Sequence, residues 1–389
     1  MQKYSKLLLM ILIPLLIVLN GCWDRRELDT LAIVSGLAID KADEPGKIQI
    51  TAQIIKPGEM KVPQAGGGGG GEKPYWNITA TGETVSETMR EFTHESNRKL
   101  YLPHNETLIF SQDIAKEGIK KYVDFFVREP ESTRGLTKVL VSKGKANDIL
   151  DSQTELEKIP GENIAQLVDE SVATSEESAV NLQEFFTRLM SKTTAPVASV
   201  IEVMDQGKEK IARLSGTAIF KTDKLVGYLN KAETRGLLWV IDKVKSGIIV
   251  VKSPSGEGKV SLEIIRASSE ITTEIKDNKP YITINIDEEG NLSDQMSPDY
   301  DLTKLPVWSS LEKSQADAIQ QEVMAALKKA QDLNTDIFGF GDAVHRKYPE
   351  LWRDMEKQWD HYFPDLEVEV IINAKLSRPG MITKPPVQK

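Results

Sequence analysis

Cysteine, histidine and long apolar runs are what this chain has least of. Its 389 residues include one cysteine, which excludes an internal disulfide and any cysteine-rich zinc site. Four histidines leave little material for histidine-based catalysis or metal binding. Positive charge is in deficit, with 49 Lys plus Arg against 58 Asp plus Glu and a net charge of −9. A nucleic-acid binder needs a basic face to neutralise phosphate, so this balance argues against one. No Gly-x-Ser-x-Gly, His-Glu-x-x-His or Walker-type stretch occurs, nor any internal repeat. What is present is ordinary for a well-cored protein: 40% apolar and 28% charged residues. The length exceeds one ordinary core and suits two or three domains.

The one long apolar stretch lies at the start. Lys3 and Lys6 precede Leu7 to Leu19, thirteen residues that are all apolar except for Pro14. A membrane-spanning helix takes about 20 such residues, so the run is short for a permanent span. A basic start and a short apolar core form the pattern of a secretory signal peptide, here residues 1–21. It ends in Leu19-Asn20-Gly21-Cys22, which resembles a bacterial lipobox. That resemblance implies cleavage before Cys22, an S-diacylglyceryl group on its thiol and an acyl group on its new amino terminus. Each buried CH₂ contributes about 0.8 kcal/mol, and two or three chains hold a protein on a membrane stably. Loss of Lys3 and Lys6 takes the charge from −9 to −11, so the lipid rather than the acidic body supplies the anchoring. The alternative is an ordinary cleaved leader with an accidental cysteine. Only eight residues separate Cys22 from Leu31, a reach of about 26 Å, which keeps the body close to the bilayer. Trp23 suits the interface.

The remainder reads as α+β. The patterning suggests an N-terminal region of mixed strands and helices (22–200), a C-terminal region (208–380) and a short tail (381–389). Leu31 to Ile39 and Ile48 to Ile54 predict two strands. A flexible loop is expected at 57–74, with six glycines at Gly66 to Gly71. Thr84 and Glu87 predict a capping box. Ile114 to Val127 reads as one amphipathic helix, Leu100 to Ser111 and Leu136 to Val141 as strands, and Ala146 to Leu150 as a short helix. Pro160-Gly161 reads as a break before a mainly helical stretch at 161–195. In the second half, strands are expected at 211–221, 225–229, 248–252, 259–266, 270–276 and 280–287. Their short spacing permits hairpins rather than parallel crossovers. A helix at 232–244, a long helix through Ile319, Val323, Ala326 and Ala330, and another carrying Trp352, Met355, Trp359 and Phe363 complete the antiparallel sheet's helical cover. A closing strand alternates at Leu366, Val368, Val370, Ile372 and Ala374.

Candidate chemistry is sparse. His94 and His104, near Glu95 and Glu106, suggest a metal site or a base, but surface or structural histidines are the commoner outcome. The same holds for His345 and His361. Asp287-Glu288-Glu289-Gly290-Asn291 lacks calcium-loop spacing and reads as a hairpin turn. Trp352 and Trp359 read as core. These readings favour no enzyme, no cofactor, no metal and no nucleic-acid partner.

Gly21-Cys22-Trp23-Asp24-Arg25-Arg26-Glu27-Leu28-Asp29 closely resembles the start of the Ger(x)C family, the lipoprotein C subunits of spore nutrient-germinant receptors. Three further stretches are similar to the same family. They are Arg98-Lys99-Leu100-Tyr101 with His104 and Arg128-Glu129-Pro130-Glu131; Leu214-Ser215-Gly216-Thr217-Ala218-Ile219-Phe220 with Leu225-Val226-Gly227-Tyr228-Leu229; and Asp336-Ile337-Phe338-Gly339-Phe340-Gly341 with Trp352 and Trp359. The resemblance implies a non-enzymatic subunit with a multi-domain mixed α/β body. It also implies lipid anchoring at Cys22 on the outer face of the spore inner membrane, and partnership with integral membrane A and B subunits. Direct nutrient binding is left open. A substrate-binding lipoprotein of a transporter is the alternative on size and lipobox alone.

Overall fold

The computed structural model describes residues 28–60, 72–128, 136–207, 209–296 and 304–378. The expectations for the leader, the lipobox, Trp23 to Glu27, Gly66 to Gly71, Glu129 to Glu131 and the tail 381–389 lie outside them.

The apolar run after Thr30 forms Leu31–Lys41 (β1), which pairs antiparallel with Ile48–Ile55 (β2), and Tyr75–Gly82 (β3) extends the hairpin. On the other side of β1 lie Lys99–Tyr101 (β4) and then Thr107–Ser111 (β5), both parallel to it. Lys138–Ser142 (β6) and Val197–Gln206 (β7) continue in parallel. Glu209–Lys221 (β8) and Lys224–Leu229 (β9) close the sheet antiparallel. The described residues thus form one nine-stranded sheet in the order β3-β2-β1-β5-β6-β7-β8-β9, with β4 beside β1.

β1 is continuously apolar because both its faces are covered. Leu37 and Ile39 face the same core as Leu108, Phe110, Val139 and Val141. Ala38, Ile109, Leu140 and Ile201 face the other side. There they meet Ala146–Leu150 (α4) and Pro160–Glu170 (α5) through Ile149, Leu150, Ile164 and Val168. The first face is covered by Val85–Glu91 (α1), Gln112–Glu117 (α2), Lys120–Arg128 (α3) and Leu182–Met190 (α6). Each large apolar side chain so buried contributes about 1.5–3 kcal/mol.

Four local expectations are corrected. The strand expected over 100–111 is two strands, β4 and β5, with 102–106 between them. The helix expected over 114–127 is two helices, because Gly118 at φ +118° turns the chain between them. Pro160 starts a helix rather than breaking one, since a first-turn proline has no N–H to waste. The Thr84 hydroxyl does accept from Glu87 N–H, but the Glu87 carboxylate reaches back to Glu83 N–H instead of Thr84.

A second sheet contains Ile248–Lys252 (β10), Lys259–Lys276 (β11), Lys279–Gln295 (β12) and Glu367–Arg378 (β13). The first three form the expected antiparallel meander, with a turn at Asp277-Asn278 in left-handed backbone. The two strands expected within 259–276 are one strand carrying bulges. β13 alternates as expected but joins β12 in parallel. A parallel partner needs a crossover, and the long Leu305–Asp332 (α8) lies within that connection. Lys231–Val240 (α7), which follows β9, packs on α8 and links the two sheets through one continuous apolar core. The family of folds is therefore α+β, with two sheets and helices on their faces.

Candidate functional site

The most elaborate polar structure among the described residues lies where the chain after α8 meets the loop before β7. α8 is followed by Asp336, then by Phe340–Lys347 (α9), Pro349–Met355 (α10) and Trp359–Tyr362 (α11). Asp336 is buried, and its carboxylate gathers the start of α9. Oδ1 accepts from the N–H groups of Phe338, Gly339 and Phe340 at 3.2, 2.8 and 3.2 Å. Oδ2 accepts from Gly341 N–H at 2.8 Å and from Trp359 Nε1 at 3.2 Å. Burial pushes this carboxyl up to about 6 even though the five donors favour its ionised form. With those bonds made, the carboxylate is a structural hub rather than a free base.

The two glycines of the same motif open space for the opposing loop. Gly339 has φ +82°, a conformation suited to glycine, and a β-carbon there would stand 2.9 Å from Thr194 Oγ1. At Gly341 it would stand 2.7 Å from the Thr193 β-carbon. Through that approach Asp342 accepts from the hydroxyls of Thr193 at 2.6 Å, of Thr194, and of Ser191 at 3.4 Å. Ala195 N–H donates to the Asp336 carbonyl at 2.8 Å. Arg188 of α6 completes the seam by donating to the carbonyls of Ile337 and Ala195 at 3.0 and 3.3 Å. Burial lowers its guanidinium affinity for the proton, and Glu184 at 3.7 Å opposes that shift.

Beside the seam is a cavity of about 280 Å³ lined by residues of both sides, including Arg188, Thr193, Lys221 and Asp336. Lys192–Glu356 at 3.0 Å and Lys221–Asp360 at 3.3 Å span its rim. Lys221 also donates to the Asn334 carbonyl at 2.9 Å. The cavity's aromatic lining, Trp359 and Phe363, is continuous with the core: both are buried, and Trp359 packs on buried Trp352 with centroids 5.3 Å apart. A hub of backbone bonds, hydroxyl clamps and rim ion pairs thus joins two parts of the chain.

A second anchoring cluster holds α7 to α8. Arg235 forms a two-pronged pair with Glu322 and donates to the Ile248 carbonyl at 3.1 Å. Trp239 Nε1 donates to the same Glu322 at 2.9 Å.

The structure distributes the residues singled out above rather than gathering them. Cys22 lies outside the described residues. His94 is exposed, 3.7 Å from Glu91. His104 pairs with the Tyr101 ring at 5.6 Å, and His345 stacks on Trp352 at 5.7 Å. His361 lies beside Tyr362. Among the described residues no group of three or more histidine, cysteine, aspartate or glutamate side chains is placed to hold a metal ion. Among the same residues no helix is long and apolar enough to cross a membrane. The Leu214 to Leu229 motif is the β8–β9 hairpin, where Gly216 at φ +103° packs against the Leu229 carbonyl.

Asp287 to Asn291 corrects the expectation of a turn: it lies within β12, paired on both sides by β11 and β13. Glu288 therefore sits on the core face after Ile282, Ile284 and Ile286. Its carboxylate and the buried Gln315 amide of α8 converge over Gly290, and neither group has a hydrogen-bond partner among the described residues. Burial, with Glu289 adding to it, pushes the Glu288 carboxyl up to about 8. Residues that sequence reasoning passed over are Arg188, Thr193, Thr194, Asp342 and this Glu288–Gln315 pair. Only the Asp-x-x-Gly spacing at 336–339 carries a local signal, that of a carboxylate accepting from the turn that follows it.

Two family descriptions cover most of the chain. Residues 24–203 match the spore germination protein N-terminal domain, and residues 215–380 match the spore germination B3/GerAC-like C-terminal domain. The chain is 28% identical to Spore germination protein KC of Bacillus subtilis (strain 168), over 97% of each chain. It is 29% identical to the putative spore germination protein YfkR of the same organism, over 96% of this chain and 97% of that one. The crystal structure of the GerBC protein shares the fold, with a TM-score of 0.57 and 18% identity over 91% of this chain and 99% of that one. On these matches the chain belongs to the Ger(x)C family of spore germination proteins.

Proposed function

We propose that the protein is the lipid-anchored, non-enzymatic C subunit of a nutrient-germinant receptor in the spore inner membrane. It acts with A and B membrane subunits and is needed to trigger germination in response to nutrients. The observation that carries this reading is the match to spore germination proteins along nearly the whole chain. The single cysteine, Cys22, stands six residues before the first described residue and supplies the point for S-diacylglyceryl and N-acyl attachment. A short lead from that lipid raises the effective concentration of the body at membrane partners.

In this reading the subunit is an extracytoplasmic docking and coupling module. It biases the assembled receptor between a resting and an active state through contacts that differ between the two. The seam of Asp336, Asp342, Thr193 and Arg188 is the element suited to carry that difference. The test is made in spores: Cys22→Ala is expected to release the protein from the membrane fraction and to weaken the nutrient response. Retention with an unchanged response would overturn the anchoring.

A further inference from the structure

The placement of the first described residues fixes which end of the body a lipid at Cys22 would hold. Leu28–Thr30 leads directly into β1, and β4 lies in register beside its opening residues, Leu31 opposite Lys99 and Ile33 opposite Tyr101. Six residue steps from Cys22 to Leu28 span about 21 Å at most. A body of this size has a radius of gyration of about 21 Å, so its far side cannot turn to the membrane on that lead.

Strand direction defines the far side. β1, β5, β6 and β7 are parallel, and their registers place Val197 of β7 level with Gly36 of β1. Leu31 lies five residues before that level and Gln206 nine after it, so the start of β1 and the end of β7 are about 45 Å apart along the strands. The β7–β8 hairpin, with exposed Asp205 and Gln206, marks the opposite end.

The end near the lead has the chemistry of a membrane interface. Arg98, Lys99 and His104 are exposed, and Tyr101 is half-buried with its ring 5.6 Å from that of His104. Leu136, 71% exposed, lines the same recess of about 330 Å³ as His104. Cations meet phosphates, tyrosine suits the headgroup layer, and an exposed leucine gains from the acyl boundary. We propose that this end of the nine-stranded sheet rests on the phospholipid headgroups through Arg98, Lys99, Tyr101, His104 and Leu136, with the β7–β8 hairpin pointing away. The proposal rests on acylation of Cys22.

The test uses the mature lipidated protein in vesicles of phosphatidylglycerol and phosphatidylethanolamine. With Cys22 acylated, single cysteines introduced by Asn97→Cys, His104→Cys or Asp205→Cys take a fluorophore, and energy transfer to a headgroup-labelled lipid is measured. Transfer several-fold higher from positions 97 and 104 than from 205 is expected, falling when Arg98→Glu and Lys99→Glu are combined. Equal transfer from all three positions in a bound protein overturns this proposal alone. So does high transfer at 97 and 104 that appears only when membrane protein partners are co-reconstituted. A chain whose N-terminal peptide carries no acyl group and which stays in the supernatant overturns the anchoring reading and this proposal together.

Discussion

The main chain of Gly236 in α7 packs directly on the Glu322 carbonyl of α8, so close that a β-carbon at position 236 would overlap that oxygen. Ala326 stands on the same spot, its β-carbon 2.9 Å from where the new carbon would lie. Gly236→Ala therefore pushes α7 off α8 and disturbs the Arg235–Glu322–Trp239 cluster beside it. Its cost is expected to be about 2–3 kcal/mol, at the upper end of overpacking effects. Urea unfolding measures it; a change below about 0.5 kcal/mol, the scatter of ordinary surface substitutions, would show that the helices separate freely.

Glu288 links stability to pH. Its folded-state carboxyl titrates near 8, above the usual 4.5. The folded protein thus holds a proton that the unfolded chain releases between those values, and stability falls as pH rises across that window. Glu288→Gln removes the ionisation and is expected to flatten this slope. At pH 8 it should stabilise the protein by about 2 kcal/mol, while near pH 4.5 the two proteins differ little. Parallel slopes for the two proteins between pH 5 and 8 would refute the assignment.

Asp336 is a different case, because its bonds need an acceptor at both oxygens. Asp336→Asn turns one acceptor into a donor facing Gly341 N–H and Trp359 Nε1. The expected loss is about 3 kcal/mol, that of a buried bond to a charged group with a donor left unsatisfied. Trp359 fluorescence in a background lacking the other tryptophans follows the effect locally, and an unchanged midpoint would contradict the hub role.

The seam and its rim separate by magnitude. Thr193→Val and Asp342→Asn, combined in a double-mutant cycle, should show a coupling of about 1 kcal/mol. Lys192→Ala and Lys221→Ala remove exposed pairs and should cost less than about 1 kcal/mol each, shrinking further in salt. If the rim pairs proved the stronger, the two sides would be held by charge rather than by the hydroxyl clamp.

Elements whose pattern follows from local burial were legible in the sequence. Ala146–Leu150 has the bounds expected of it, and Ile319, Val323, Ala326 and Ala330 are all buried in α8. Asp287 to Asn291 misled because acidic and glycine residues are turn-like alone, whereas pairing by β11 and β13 on both sides overrides that preference. The parallel docking of β13 was hidden because an alternating strand looks the same in either direction. At the site, the motif around Asp336 was visible as a stretch, and its carboxylate's bonds are local. The clamp from Thr193 to Asp342 crosses 149 positions, and no local pattern reports a contact of that separation.

The parallel closing strand also sets an order of events in biogenesis. β12 acquires its second neighbour only when residues 367–378 have emerged, well over 300 residues after the position at which the lipid would be attached. Until then the 17-residue β12 carries an unpaired edge, and the core-facing side of its sheet lacks the final strand. A chain stopped before Leu366 therefore keeps an open strand edge that can pair with other chains. Chaperone capture or proteolysis of such truncated chains, rather than slow folding of the nine-stranded sheet, is where its quality control would concentrate.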